Sequence, residues 1–219
     1  MSVFTTAQPN FSTKEATTIV QDHYGLTTNI SSLTSDRDQN FLCSSSEEKY
    51  VLKISNSDEG KDILEMQNEC FHFIHKYDSA LKIPSVVTGK TDSKIITIEK
   101  EEIRYFFRLV EYLPGQFFKD ILHNNSMLYK LGSFLGRLHK SMSGFDHPAA
   151  HRDFPWNIVH TNFIKSHKHH ISDDAEIVDH FIELYEKNVL QNDTKLRKAV
   201  IHNDGNDHNI LVNDKGNAC

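Results

Sequence analysis

The sequence predicts an α+β protein with two lobes, the first rich in β-strands and the second mainly helical. Short apolar runs separated by polar residues recur between residues 29 and 111, which is typical of antiparallel strands. Within that stretch, residues 58–76 place apolar side chains at helical spacing. After the turn Leu-Pro-Gly at 113–115, the spacing is mostly helical. We therefore expect an N-lobe over residues 1–113 and a helical C-lobe over residues 114–219.

Composition excludes several classes of protein. The chain has 219 residues, of which 38% are hydrophobic and 25% charged, as in ordinary globular proteins. Its 30 acidic and 24 basic residues give a net charge of −6, which argues against binding to nucleic acid or to an anionic membrane. No stretch approaches the roughly 18 apolar residues of a membrane span. Three cysteines without metal-binding spacing leave one thiol unpaired, which favours a cytoplasmic location.

Capping and stop signals define the individual elements. Ser12 and Glu15 fit a capping box and Gly25 is a stop signal, so the first helix is expected from about Ser12 to Tyr24. Three antiparallel strands are expected between residues 29 and 54. The later elements are a helix at 58–76, strands at 94–100 and 103–111, a helix with Ser126 as N-cap that ends near Met142, an irregular stretch at 144–168, a helix after Ser172, and β-type runs at 199–201 and 210–212.

The polar block between the last two β-type runs is the most informative stretch. His202, Asp204 and Asn209 have the H-x-D-x-x-x-x-N spacing of kinase catalytic loops. Such a loop can aim a carboxylate at a substrate hydroxyl, while the amide oxygen five residues later reaches the Mg²⁺ that bridges the phosphates. The alternative is a polar turn rich in Asp and Asn between two strands.

A kinase also needs a lysine on a strand of the first lobe and a carboxylate on the following helix. Lys53 lies in the strand pattern Tyr-Val-Leu-Lys-Ile and points away from its apolar neighbours. Glu65 is our choice for the carboxylate, with Glu69 one turn later and Gln67 competing for the inward register. An exposed strand lysine and solvated helix residues would show the same pattern.

A polar turn precedes these strands, where a loop covering the phosphates is expected. It spans residues 35–41 and includes Gln39 and Asn40. The turn contains no glycine, so its backbone N–H groups approach a phosphate less freely than those of a Gly-x-Gly loop.

Several segments together resemble the aminoglycoside phosphotransferase and choline kinase superfamily. They are the lysine strand, Asp-Gln-Asn-Phe at 38–41, Leu-Glu-Met-Gln-Asn at 64–68, Arg-Leu-Val-Glu-Tyr-Leu-Pro-Gly at 108–115, and the block from His202 to Asn209. Within it, the chain is most similar to the hydroxylysine kinase branch and its bacterial relatives fused to class III aminotransferases, where Asn-Asp-His-Asn-Ile-Leu is typical. The resemblance covers about residues 11–213.

The resemblance implies a two-lobed, protein-kinase-like fold and assigns roles in the second lobe. Asp204 would be the catalytic base, His202 would brace the loop, and Asn209 would bind Mg²⁺. The acceptor would be the hydroxyl of a small amino alcohol or hydroxylated amino acid, with 5-hydroxylysine favoured.

The first lobe would bind the phosphoryl donor, ATP or GTP. Lys53 would hold the α- and β-phosphates and pair with Glu65. Gln39 and Asn40 would lie over the phosphates, and the backbone from Val110 to Tyr112 would bind the purine edge.

The family pattern also includes a second metal-binding aspartate, in an Asp-Phe-Gly-like strand soon after the catalytic loop. The turn Asp214-Lys215-Gly216 resembles the hairpin that leads into this strand, and the aspartate does not occur before Cys219. The C-lobe is therefore expected to be partial. The alternative function is a non-catalytic nucleotide-binding protein that lacks this second ligand.

Two other groups of residues carry weaker hypotheses. His167, His169 and His170 could suggest a metal site, but a solvated loop is favoured because they lie in a polar loop with no ordered carboxylate or thiolate partner. Trp156 is a candidate to cover the acceptor, or equally to pack its own loop.

Overall fold

The computed structural model describes residues 6–152, 157, 159–171 and 173–218, so Trp156 lies outside the described residues. The chain divides into two compact units, Met1–Phe145 with Val200–Cys219, and Asp146–Ala199. The lobe boundary expected after residue 113 falls inside the first unit. Among the described residues, no helix combines the length and apolar character needed to cross a membrane.

The first helix, α1 (Thr13–Tyr24), begins and ends as the sequence predicts. The Ser12 hydroxyl accepts the Glu15 N–H at 3.2 Å, and the Glu15 carboxylate accepts the Ser12 N–H at 2.7 Å. The side chain of each residue therefore accepts the backbone N–H of the other, which completes the capping box. Gly25 ends the helix at φ 74°, in the left-handed region that glycine adopts without strain.

Glu15 makes the stability of this region depend on pH. Hydrogen bonds from Lys100 and Ser12 lower its pKa to about 2. A carboxyl pKa lowered by folding stabilises the protein above the unfolded value, and that contribution is lost as the pH falls from 4.5 towards 2. We expect Glu15→Gln to reduce the free energy of unfolding at pH 7 by less than about 1 kcal/mol, because the pair is largely solvated.

Urea unfolding at several pH values tests this expectation. The difference between the parent and Glu15→Gln should shrink steadily below the ordinary carboxyl pKa. A difference of the same size at pH 2 and pH 7 would show that the ion pair is not its source.

Five antiparallel strands form the sheet of the first unit in the order β1-β2-β3-β5-β4. They are β1 (Asn29–Leu33), β2 (Gln39–Ser44), β3 (Lys49–Ile54), β4 (Ile96–Lys100) and β5 (Ile103–Glu111). The predicted strands of this region are therefore confirmed. The order places β3, which carries Lys53, at the centre of the sheet.

The two faces of the sheet have different roles. Leu52, Phe107 and their neighbours on one face are fully buried in a single apolar cluster with residues of α1. Because side chains alternate along a strand, the intervening residues point to the other face. Asn40, Lys53 and Arg108 lie there, opposite one another across β2, β3 and β5. The core thus fixes the orientation of a polar row on the second face.

The helix α2 (Lys61–Tyr77) confirms the helix predicted after the third strand. Its buried residues include Ile63, Leu64 and Ile74, which anchor it as an amphipathic helix. Asn68 is also buried in the same helix. A buried amide requires a hydrogen-bond partner, and its partner on the sheet belongs to the candidate site.

A short ladder joins two distant parts of the first unit. β6 (Gln116–Phe117) pairs with β7 (Leu211–Val212), and a 3₁₀ turn at Phe118–Asp120 follows β6. The predicted β-type run at 210–212 is confirmed by β7, whereas residues 199–201 form no strand. The polar block therefore follows irregular backbone, and a strand flanks it only on its C-terminal side.

The long helix α3 (Asn125–Ser141) begins earlier than the sequence predicts. Its N-cap is Asn124, whose side chain accepts the Met127 N–H at 3.0 Å. The expected cap, Ser126, already lies inside the helix. Asn and Ser are comparable N-caps, so the choice between them depended on tertiary context.

The described residues of the second unit form the α-helices α4 (Thr161–His167) and α5 (Ala175–Asn188). The helix predicted after Ser172 is confirmed by α5. The expectation that residues 144–168 are irregular is wrong for α4 and for a 3₁₀ turn at Pro148–His151. Both are shorter than the span over which apolar periodicity becomes visible. Further 3₁₀ turns lie at Lys168–His170 and Leu190–Lys195.

Candidate active site

The ammonium group of Lys53 lies in an environment that disfavours its charge. Burial lowers its pKa, the positive charge of Arg108 lowers it further, and the carboxylate of Asp38 opposes both. No hydrogen bond or ion pair within the described part of the chain holds the ammonium. A buried cation without an anionic partner costs free energy. An anion bound beside Lys53 would remove that cost.

The structure contradicts the predicted pairing of Lys53 with Glu65. The Glu65 carboxylate binds the Lys61 ammonium at 2.7 Å, one turn earlier on α2, and both side chains are about half exposed. This i,i+4 pair lies on the solvent side of the helix. The residues of α2 that face the sheet are instead Gln67 and Asn68. Gln67 is the alternative to Glu65 that the sequence already offers.

Arg108 is a side chain of the sheet that donates hydrogen bonds to α2. One terminal nitrogen, Nη1, donates to Asn68 Oδ1 at 2.9 Å and to the Leu64 carbonyl at 3.5 Å. The other, Nη2, donates to Gln67 Oε1 at 2.7 Å. Arg108 is 5% exposed, and burial lowers its pKa, with Asp38 opposing that change. Neutral amides and one carbonyl therefore receive its direct hydrogen bonds.

Gln39 and Asn40, the two residues predicted to lie over the phosphates, point to opposite faces of the sheet. Gln39 donates to the Phe11 carbonyl at 2.8 Å and accepts the Phe11 N–H at 2.8 Å. It therefore ties the segment before α1 to the sheet, which contradicts the predicted contact with phosphate. Asn40 lies beside Lys53, and its buried Oδ1 has no hydrogen-bond partner among the described residues. A bound ligand or its water could satisfy that atom.

The turn between β1 and β2 is held from outside by Gln8. Its Nε2 donates to the carbonyls of Ser35, Asp36 and Asp38 at 2.8, 2.7 and 2.9 Å. The Asp38 carboxylate in turn accepts the Asn56 N–H at 3.0 Å. These side chains close the turn without glycine, and they place the charge of Asp38 near Lys53 and Arg108.

The predicted purine-binding segment uses part of its backbone within the protein. The Glu111 N–H donates to the Ser85 carbonyl at 2.9 Å, and the Tyr112 N–H donates to the Lys49 carbonyl at 3.1 Å. Val110 is 7% exposed. A purine edge at this segment would therefore have to use carbonyl oxygens or a later N–H group.

The structure brings together the three residues of the predicted catalytic loop. Asn209 donates through Nδ2 to Asp204 Oδ2 at 2.6 Å and to the Asp204 carbonyl at 3.2 Å. Asn206 donates to the other carboxylate oxygen, Oδ1, at 2.6 Å. The Asp204 N–H points to His202 Nδ1 at 3.4 Å. Two amides thus orient an exposed carboxylate from both sides.

The loop is anchored to the segment that follows β6. The Phe118 N–H donates to the Ile210 carbonyl at 2.9 Å, and the Lys119 N–H donates to the Asp207 carbonyl at 3.2 Å. Asn203 has φ 64°, a left-handed conformation that Asn tolerates better than most residues. Desolvation lowers the pKa of His202 and the charge of Asp204 opposes this, which favours the neutral imidazole that accepts the Asp204 N–H.

The oxygen atoms of this loop fit a hard divalent cation. The hydrogen bonds of Asn209 use its Nδ2, so its Oδ1 remains as an acceptor beside the Asp204 carboxylate. Mg²⁺ prefers carboxylate and carbonyl oxygens and completes its shell with water and phosphate oxygens. No group of three or more His, Cys, Asp or Glu side chains suited to a metal occurs in the described ranges. The ring centroids of His169 and His170 lie 4.0 Å apart, with the ring planes tilted by 42°.

Sequence analysis assigned no role to Arg108, Asn68 or Asn206. A single charged residue inside the apolar run Tyr-Phe-Phe-Arg-Leu-Val is the signal that could have found Arg108. Asn206 lies between two predicted loop residues, and its contact with Asp204 depends on the fold of the loop.

A five-stranded sheet with a partly buried lysine, followed by a helical part that carries an Asp–Asn loop, is the arrangement of the kinase-like phosphotransferases. The model of the phosphotransferase enzyme family matches residues 29–219. The chain belongs to this family.

Curated relatives named hydroxylysine kinase are similar to most of the chain. The protein from Bos taurus is 30% identical over 226 residues, covering 94% of this chain and 60% of the relative. The protein from Danio rerio is 28% identical over 227 residues, covering 96% and 62%. The chain thus spans about 60% of the length of these relatives.

Solved structures show the same kinase-like fold. An amicoumacin kinase in complex with AMP-PNP, Ca²⁺ and Ami superposes with a TM-score of 0.70 at 13% identity, covering 95% of this chain and 62% of that one. A spectinomycin phosphotransferase in complex with ADP and spectinomycin has a TM-score of 0.57 at 12% identity, with coverages of 96% and 68%.

Proposed function

We propose that this chain provides the nucleotide site and the catalytic loop of a small-molecule kinase. The enzyme would transfer the γ-phosphoryl group of ATP or GTP to the hydroxyl of an amino alcohol or hydroxylated amino acid, with 5-hydroxylysine as the first candidate. The contact between Asp204 and Asn209 carries this proposal. The similarity to hydroxylysine kinases supports the choice of acceptor.

Asp204 would accept the proton of the acceptor hydroxyl as its oxygen forms a bond to the γ-phosphorus. The bond from that phosphorus to the β,γ-bridging oxygen breaks, and the nucleoside diphosphate leaves. Because Asn206 and Asn209 orient the carboxylate, it is positioned before the acceptor arrives. His202 would hold the loop backbone at the Asp204 N–H.

The phosphates and the metal would be held from both sides of the site. Lys53 would bind the α- and β-phosphates, which supply the directly bonded anion that it lacks among the described residues. Asn209 would hold Mg²⁺, which would neutralise charge on the phosphates when bound. The Leu113 N–H makes no hydrogen bond within the described part of the chain, so we propose it as the donor to the purine edge.

Phosphorylation of 5-hydroxylysine, with lysine as the matched control, tests the proposal. Lysine lacks only the acceptor hydroxyl, so transfer should be seen with 5-hydroxylysine and not with lysine. Phosphorus NMR after incubation with Mg²⁺ and either ATP or GTP detects the product directly. Aminopropanol and spectinomycin extend the test to acceptors of the structural neighbours. Nucleotide hydrolysis without transfer to any of these acceptors would contradict the proposal.

A non-catalytic nucleotide-binding protein is the second candidate function. The observation that favours it is the position of Glu65, which binds Lys61 and leaves Lys53 without the helix carboxylate expected of an active kinase. Nucleotide binding that is equally tight with and without Mg²⁺, together with no transfer, would support this candidate. The free thiols of Cys43 and Cys70 suit a reducing cytoplasm under either proposal.

A further inference from the structure

The polar row across the sheet contains two cations and no carboxylate among its three members. Lys53 and Arg108 are directly opposite in the register of β3 and β5, and Asn40 lies on the other side of Lys53. Two adjacent positive charges repel each other, and burial strengthens that repulsion. Such an arrangement is stabilised by an anion that contacts or faces both charges.

The hydrogen bonds of Arg108 leave one donor group unused. Its terminal nitrogens bind Gln67, Asn68 and the Leu64 carbonyl, whereas its Nε is buried without a partner among the described residues. Neutral acceptors orient the guanidinium but do not neutralise it. Asp38 and Glu59 act on Arg108 through their charge. The hydrogen bonds of Arg108 among the described residues all go to amide and carbonyl oxygens, whereas a buried arginine usually pairs with a carboxylate.

We propose that Arg108 is a second cationic group of the nucleotide-phosphate site, acting with Lys53 on the same phosphates. This inference rests on the proposed function, because it assumes that the anion beside Lys53 is the polyphosphate of a nucleotide. Arg108 strengthens binding through its charge, and its buried Nε–H has no partner among the described residues. Its contribution therefore grows with the negative charge of the ligand.

Binding of inorganic tripolyphosphate isolates the phosphate site from the purine site. We expect Arg108→Gln to weaken tripolyphosphate and nucleoside triphosphate by roughly tenfold or more, since a charge-assisted interaction is lost. Nucleoside diphosphate should be weakened less, and the free nucleoside should bind as before. Arg104→Gln is the matched control, because Arg104 is an exposed residue of the same strand. Titration calorimetry measures all four ligands.

A structural role for Arg108 predicts a different pattern. If it only ties α2 to the sheet, then Gln67→Ala with Asn68→Ala, which removes its acceptors and keeps its charge, should weaken tripolyphosphate as much as Arg108→Gln. We expect this double variant to keep most of the affinity while its melting temperature falls. If Arg108→Gln does not fold, Arg108→Lys tests the proposal instead. Retained tripolyphosphate affinity supports it, and a loss of affinity equal to that of Lys53→Met overturns it.

The same titrations separate this inference from the proposed function. Tripolyphosphate affinity that depends on Lys53 but not on Arg108 overturns the role of Arg108 alone. Affinity that depends on neither residue removes the phosphate site and the proposed function with it.

Discussion

Asp204→Asn is expected to lower the rate of phosphoryl transfer by roughly two to four orders of magnitude, which is the usual contribution of a positioned general base. The amide cannot accept the proton of the acceptor hydroxyl, although it has nearly the shape of the carboxylate. Nucleotide affinity should change little, because Lys53 lies on a different element. Single-turnover measurements with the acceptor identified above, together with titration of the nucleotide, separate the two effects.

Asp207→Asn is the matched control for this prediction. Asp207 lies in the same exposed loop, and its carbonyl, which the substitution preserves, accepts the Lys119 N–H. The control should therefore keep the loop anchored and retain most of the activity. An Asp204→Asn protein as fast as the parent would remove Asp204 from the chemical step.

The contacts within the proposed catalytic loop were predictable from sequence because its members are close together in the chain. His202, Asp204 and Asn209 lie within eight residues of one another, and the contacts between them are local. The strands and α1 were predictable for a similar reason, since alternation and a capping box are written in adjacent residues.

The residues of α2 that face the sheet could not be predicted, because they depend on how α2 is rotated against it. Glu65, Gln67 and Asn68 are within one turn, and helical periodicity alone leaves the choice between them open. Arg108 decides it, since a buried guanidinium needs several acceptors and the two amides supply them. That requirement is non-local, as Arg108 lies some forty residues later in the chain.

The same arrangement means that Lys53 lowers the stability of the ligand-free protein and strengthens the binding of a phosphate. Its ammonium is buried beside a second cation, and both effects lower its pKa. Below that lowered pKa the charge destabilises the folded state, and the effect disappears only above the pKa of an unfolded lysine, 10.5. A neutral side chain of similar length should therefore be better tolerated there than the native lysine until a phosphate binds.

Lys53→Met is accordingly expected to act in opposite directions on stability and on binding. The melting temperature of the ligand-free protein should rise by about 2–4 °C for each kcal/mol of repulsion removed. Affinity for nucleoside triphosphate should fall by roughly tenfold to a hundredfold, because a charged hydrogen bond to phosphate is lost. Calorimetric melting and titration on the same preparations measure both quantities.

Lys82→Met, at an exposed position of the first unit, controls for the change in net charge and should alter neither quantity. A Lys53→Met protein that melts lower than the parent would mean that the ammonium stabilises the empty site. One that binds nucleotide as tightly as the parent would mean that the phosphates lie elsewhere. The opposite signs matter because replacing a merely structural lysine would reduce both stability and binding. Replacing a lysine that serves its ligand raises stability and weakens binding.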